Sequence, residues 1–198
     1  MDRITNLVIY NPPITDYRPT DLNMTIPNLL IIAGTGTKSG KTTLACRLIE
    51  QLSDLRPVAI KITPHFHEDT PGLELISEGK GYSVYKETNP GTSKDTSRML
   101  KAGASSVYFA KVTDDTLLKA FNKIMEQIDG FPPVICESPA LRYYVDPGLF
   151  IIMASEMVDK KKNVTRLKTL PHVFIKLEEI QKHNSLHVSF NNGKWVNK

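Results

Sequence analysis

The residues best suited to chemistry lie between positions 34 and 43, where Gly34-Thr35-Gly36-Thr37-Lys38-Ser39-Gly40-Lys41-Thr42-Thr43 brings glycines, lysines and hydroxyls together. Glycines let a backbone wrap an anion without side-chain clashes, and the N–H groups opening a helix point at it. Lys41 neutralises the terminal phosphates of a nucleotide, and Thr42 offers its hydroxyl to Mg2+. Lys38 supplements Lys41 or turns to solvent. The strict phosphate-loop spacing GxxxxGK[ST] requires glycine at position 35; here Thr35 stands there and Gly34 comes one residue earlier, so the loop is a modified one. The phosphate contacts read from it are Gly34, Gly36, Lys38, Ser39, Gly40, Lys41, Thr42 and Thr43.

Such a loop works only between a buried strand and a helix. Leu29 to Ala33 form an unbroken apolar run, as in a strand covered on both faces of a parallel sheet. Leu44, Leu48 and Leu52 recur at helical spacing after the loop. Val58, Ile60 and Ile62 alternate in a second strand, and VYFAKV, VICE, GLFIIMAS and HVFIKL supply further strands. Thr96 to Lys101 read as a helix capped by Asp95 or Ser93. Leu117, Phe121, Ile124 and Ile128 mark the stripe of another. The expected architecture is α/β, a three-layer P-loop NTPase fold with a mainly parallel central sheet. Residues 1–27 read as an N-terminal extension and 28–198 as one nucleotide-binding domain ending in a hairpin around Asn191-Asn192-Gly193. Residues 64–93, rich in proline and glycine, read as a long adaptable connection with a short helical turn at LELIS, suited to a lid or substrate loop.

VICE delivers Glu137 to a strand end, where it holds Mg2+ directly or through water, orients an acceptor hydroxyl, or simply caps a helix or pairs in solvent. Lys41 and Glu137 are thus the catalytic candidates, with Thr42 and Glu137 the metal candidates. Lys61, His65, His67, Asp69 and Asp95 are candidates for a substrate cleft. His65 and His67 point the same way if extended, but two histidines without further ligands favour a structural or solvent-facing role over zinc. Asp69 and Asp95 serve a magnesium-bound water or, more simply, a turn and a helix cap.

GTGTKSGKTT resembles the longer phosphate loop of the dethiobiotin synthetases. IKITPHFHEDTPG and KDTSRMLKAGASSV are similar, in the same order, to blocks of the molybdopterin-guanine-dinucleotide biosynthesis accessory protein B family, over roughly residues 29–155. The second resemblance implies guanine-nucleotide binding and assistance to guanylyl transfer in molybdenum-cofactor maturation. Gly40, Lys41 and Thr42 would be phosphate or magnesium contacts, and Lys61, His65 and His67 would line the neighbouring cleft. The first implies a ligase or small-molecule kinase; a nucleotide-controlled accessory protein without its own transfer reaction is the third reading. The chain departs from the accessory family in a longer His67–Asp95 connection and in ESPAL at 137–141, where a glycine usually follows the glutamate.

Twenty-five Lys and Arg against twenty-one Asp and Glu give a net charge of +4, which suits anionic small molecules without the surplus of a nucleic-acid binder. Cys46 and Cys136 have no close Cys or His spacing, which excludes a disulfide scaffold and a zinc finger and fits a reducing compartment. With neither a secretory leader nor a long apolar run, the expected location is cytoplasmic and membrane-free. The expected ligands are Mg2+ and ATP or GTP, with a small-molecule acceptor or protein partner and a homodimer as the oligomer considered. The run Asp159-Lys160-Lys161-Lys162 reads as a solvated loop, and no NKxD-like segment there reads guanine.

Overall fold

The computed structural model describes residues 9–10, 24–36, 38–66, 70–154, 165–182 and 188–197; His67, Asp69 and the 159–162 charge run lie outside them. The first half runs β1 (Ile9–Tyr10), β2 (Met24–Gly34), α1 (Lys41–Gln51), β3 (Val58–Thr63), β4 (Leu73–Gly79), β5 (Tyr82–Glu87) and α2 (Asp95–Lys101). There follow β6 (Ser106–Val112), α3 (Leu117–Met125), β7 (Val134–Glu137), β8 (Val145–Ala154), β9 (His172–Lys176), α4 (Leu177–Lys182), β10 (Val188–Asn191) and β11 (Lys194–Asn197).

The protein is α/β, built on a mixed, mainly parallel sheet in the order β1-β9-β8-β2-β7-β3-β6-β5-β4. From β9 to β6 every neighbouring pair is parallel, while at the margins β1 and β5 run antiparallel to them and β4 runs antiparallel to β5. The apolar run in β2 has the central place its sequence requires, since Leu29 to Ala33 are wholly buried. Successive side chains of a strand face opposite ways, so the sheet has two cores. On one face Ile31, Ile60 and Cys136 pack with Leu117, Phe121 and Ile124 of α3; on the other Leu30, Ile32 and Ala59 pack with Leu44 and Leu48 of α1 and Met99 of α2.

The chain leaves β2 through α1 on one face, whereas it leaves β7 through a short 3-10 helix, Pro139–Tyr143, whose Leu141 joins the core of the other face. Since β7 lies beside β2, these exits diverge and open a crevice at the carboxyl ends of the strands.

Several boundaries differ from those read in the sequence. The connection at 64–93 contains the β4–β5 hairpin rather than a helical turn. Alternation in Tyr82-Ser-Val84 puts Tyr82 and Val84 into the core, and Gly81 at φ 81° makes the turn, so the period-two signal outweighs the helix propensity of LELIS. β2 begins at Met24, inside the stretch assigned to an extension, and Ile9–Tyr10 pairs with β9. α2 begins at Asp95 itself, so Lys94 occupies the cap position and no side chain caps that helix.

The carboxyl-terminal hairpin forms as read. Asn192 and Gly193 take φ of 50° and 74° between the paired residues Asn191 and Lys194, the two-residue turn that Asn-Gly favours. Trp195 Nε1 donates to Asn28 O at 2.8 Å, and Asn28 Nδ2 donates to Pro132 O at 2.9 Å, tying the hairpin to the roots of β2 and β7.

Candidate functional site

The loop after β2 bends through two left-handed residues, Lys38 at φ 57° and Gly40 at φ 86°. A Cβ on Gly40 would come within 2.6 Å of Leu177 Cδ1, and one on Gly34 within 2.1 Å of Ser39 Oγ. Both glycines are therefore required by close packing of the loop upon itself and upon the start of α4. Thr35 N donates to Met153 O at 3.0 Å, carrying the β2–β8 ladder one bond into the loop.

Inside this turn Lys41 Nζ donates to Ser39 Oγ at 3.1 Å and Gly36 O at 3.3 Å. The amine is thus curled over the loop it would share with an anion. Ser39 is almost wholly buried, whereas Lys38 is exposed and Thr43 is half-buried in the first turn of α1. α1 carries no side-chain cap and no acidic residue in its first turn, which leaves the positive end of its dipole facing the loop.

A carboxylate closes the site from β7. Register pairs Glu137 with Ile32 on one side and Lys61 on the other, so a strand only four residues long brings it between the loop strand and β3. Glu137 Oε2 accepts from Thr42 Oγ1 at 2.9 Å, and Oε1 lies 3.8 Å from Lys61 Nζ. Asp95 is the second carboxylate: its Oδ2 binds Lys61 Nζ and its Oδ1 faces Arg98 at 3.7 Å. Burial pushes the Asp95 carboxyl up, but bonding and charge from Lys61, with help from Thr42 and Arg98, hold it below the ordinary aspartate range. Thus Lys41, Thr42, Lys61, Asp95 and Glu137 assemble from four elements.

Thr42, Glu137 and Asp95 present hard oxygen donors, the chemistry Mg2+ prefers when it keeps waters and shares phosphate oxygens. Thr42 gives its proton to Glu137, which turns its lone pairs outward for a cation. Among the described residues no group of three or more His, Cys, Asp or Glu is placed to hold a metal by itself. The thiols do not contribute: burial pushes both Cys46 and Cys136 up, keeping them protonated.

Two cavities meet at the tip of β3, each lined by Lys61, Thr63 and His65. One, of about 420 Å3, occupies the crevice and touches Gly34 and Lys41, with Leu117, Pro139 and Tyr143 as its apolar wall. The other, of about 270 Å3, lies on the α2 side and includes Asp95 and Lys111. A larger cavity of about 1050 Å3 opens at the opposite end of the sheet beside Met24, Ile26 and the exposed Phe131, away from every charged group discussed above. The charged groups described above meet cavities at the carboxyl ends of the strands. Sequence reasoning missed the partnership of Lys61 with Asp95, the role of Ser39 beneath Lys41 and the nearness of Lys111. The last follows only from the pairing of β3 with β6, whose register places Lys61 and Lys111 on one face.

No protein-family model, curated protein or solved structure matches the chain.

Proposed function

We propose that this chain is a Mg2+-dependent nucleoside-triphosphate-binding protein with a P-loop, transferring a phosphoryl group to a small acceptor held in the crevice. The observation that carries the reading is the Thr42–Glu137 hydrogen bond at the foot of a loop whose Gly34 and Lys41 line a 420 Å3 cavity at the strand ends.

In this reading the loop amides and the end of α1 bind the phosphates, and Lys41 swings from Ser39 and Gly36 onto the terminal phosphate oxygens. Thr42 and Glu137 would hold Mg2+, which when bound offsets phosphate charge. Asp95 pairs with Lys61 at the edge of that site. Glu137, held by Thr42 and Lys61, orients an acceptor hydroxyl entering from the cavity. Buried Ser138 and half-buried Pro139 and Ala140 narrow the approach of water.

The cavity favours an enzyme with its own acceptor, of the ligase or small-molecule kinase class, over a nucleotide switch alone. Assistance to molybdenum-cofactor guanylylation rests on the sequence resemblance.

Calorimetric titration with Mg-ATP and Mg-GTP tests the reading. Saturable binding of at least one nucleotide is expected, weakened roughly tenfold or more by Lys41→Ala through loss of a charged hydrogen bond. Equal affinity in a folded Lys41→Ala protein would overturn the phosphate assignment.

A further inference from the structure

Lys61 is placed by β3 on the face that α1 and α2 cover. Ile60 and Ile62 belong to the core of the α3 face, whereas Ala59, of the same parity as Lys61, belongs to the core beneath α1 and α2. The side chain of Lys61 is only 22% exposed there, so its charge needs partners. Two carboxylates supply them. Asp95 Oδ2, at the start of α2, binds the Nζ, and Glu137 Oε1, on the neighbouring strand, lies 3.8 Å from it. The remaining oxygens are engaged elsewhere: Asp95 Oδ1 faces Arg98 Nη1 at 3.7 Å, and Glu137 Oε2 accepts from Thr42 Oγ1 at 2.9 Å. Glu137 is the more enclosed of the two, its side chain 7% exposed against 36% for Asp95. One ammonium thus bridges a buried and a half-buried carboxylate, and the buried one also holds the hydroxyl assigned to the metal.

We infer that Lys61 and Mg2+ compete for Glu137, so that the lysine is a cation built into the site which metal binding must displace. The inference rests on the assignment of Thr42 and Glu137 to Mg2+ made above. An ammonium and a hard divalent cation seek the same carboxylate oxygens, and a metal on Glu137 meets the positive charge of Lys61 in surroundings that screen it poorly. Asp95 makes the exchange feasible. As the more exposed partner it keeps the amine paired when Glu137 is taken, so no buried charge is left alone. The metal alone therefore binds weakly, and it enters with a nucleotide whose phosphates bring the compensating negative charge. Lys61 acts through Glu137, as a positioning residue for the metal.

The experiment is electron paramagnetic resonance of Mn2+, an oxygen-seeking stand-in for Mg2+, titrated into the full chain without nucleotide. Lys61→Met removes the charge and keeps an unbranched stem, and it should bind one Mn2+ about tenfold or more tightly than the parent. Excess Mg2+ should release that ion, and adding Glu137→Gln should abolish the gain. Lys123→Met, which removes the same charge from an exposed pair on α3, should leave the parent's affinity unchanged. Lys61→Gln keeps a hydrogen bond to Asp95 and decides the matter if Lys61→Met fails to fold. Equal Mn2+ affinity in the folded Lys61 variant and the parent overturns the competition, as does a gain that survives Glu137→Gln or appears equally in Lys123→Met. If Glu137→Gln alters the Mg2+ response of nucleotide binding while the Lys61 variant gains nothing, the metal reading stands and the competition falls.

Discussion

Thr42 Oγ1, on the first turn of α1, donates a 2.9 Å hydrogen bond to Glu137 Oε2 at the end of β7, joining residues 95 apart in sequence. The bond fixes the direction of the hydroxyl lone pairs and sets a buried carboxylate beside the loop. Thr42 and Lys61 are the partners that hold this carboxylate in its buried position.

Glu137→Gln isolates that charge. The amide still accepts a hydrogen bond from Thr42 but contributes no negative charge to a cation. Calorimetry across a Mg2+ series should show nucleotide affinity becoming less dependent on Mg2+ than in the parent. An unchanged Mg2+ response removes Glu137 from the metal site.

Gly34→Ala tests the shape of the loop. The new methyl carbon would meet Ser39 Oγ at 2.1 Å and Lys41 Cδ at 3.0 Å, so these side chains must rotate away or the turn must open. Overpacking of this kind costs about 1–3 kcal/mol, and nucleotide affinity should fall roughly tenfold or more. Adding Ser39→Gly relieves the closest approach and should restore part of the loss. Full affinity in the single variant would mean that the loop binds nucleotide in another shape.

Asp95 gives a pH signature. Its carboxyl is held below the ordinary aspartate range, so in acid the unfolded chain binds a proton that the folded chain resists. The resulting stability is present above the ordinary aspartate value, near about pH 4, and is lost as pH falls through the lower folded value. Urea denaturation at successive pH values should therefore show a shallower acid-side decline in Asp95→Asn than in the parent. Parallel declines would remove the Lys61 pairing as a source of acid sensitivity.

Gly148 is a structural control remote from the loop chemistry. A Cβ there would lie 2.0 Å from Pro27 O and 2.8 Å from Pro27 C, both backbone atoms, beside the irregular register between β2 and β8. Gly148→Ala should destabilise the fold by about 1–3 kcal/mol or more, read as a lower urea midpoint. A midpoint equal to the parent's would show that β2 and β8 shift freely there.

The glycine-rich loop, the strand before it and the helix after it were legible because all three are local. An apolar run of five, a glycine-rich turn and leucines at a spacing of four need only their own neighbours to be recognised. Glu137 was legible as the end of a short apolar strand for the same reason. The β4–β5 hairpin was not, because Leu-Glu-Leu-Ile-Ser serves either period until Tyr82 and Val84 find a core to enter. Asp95 was ambiguous as well: a residue at a helix start caps by default, and only the arrival of Lys61 on a neighbouring strand draws its carboxylate away.

By itself, then, the sequence determined the kinds of groups present and the local turn that gathers glycine, lysine and threonine. The tertiary structure alone decided which strand lies beside which. By inserting β7 between β2 and β3 it set Glu137 between the loop and Lys61, and by pairing β3 with β6 it brought Lys111 to the same face. Strand order depends on long crossovers and on which face each helix covers, and those are collective properties of two cores that no single window of residues contains.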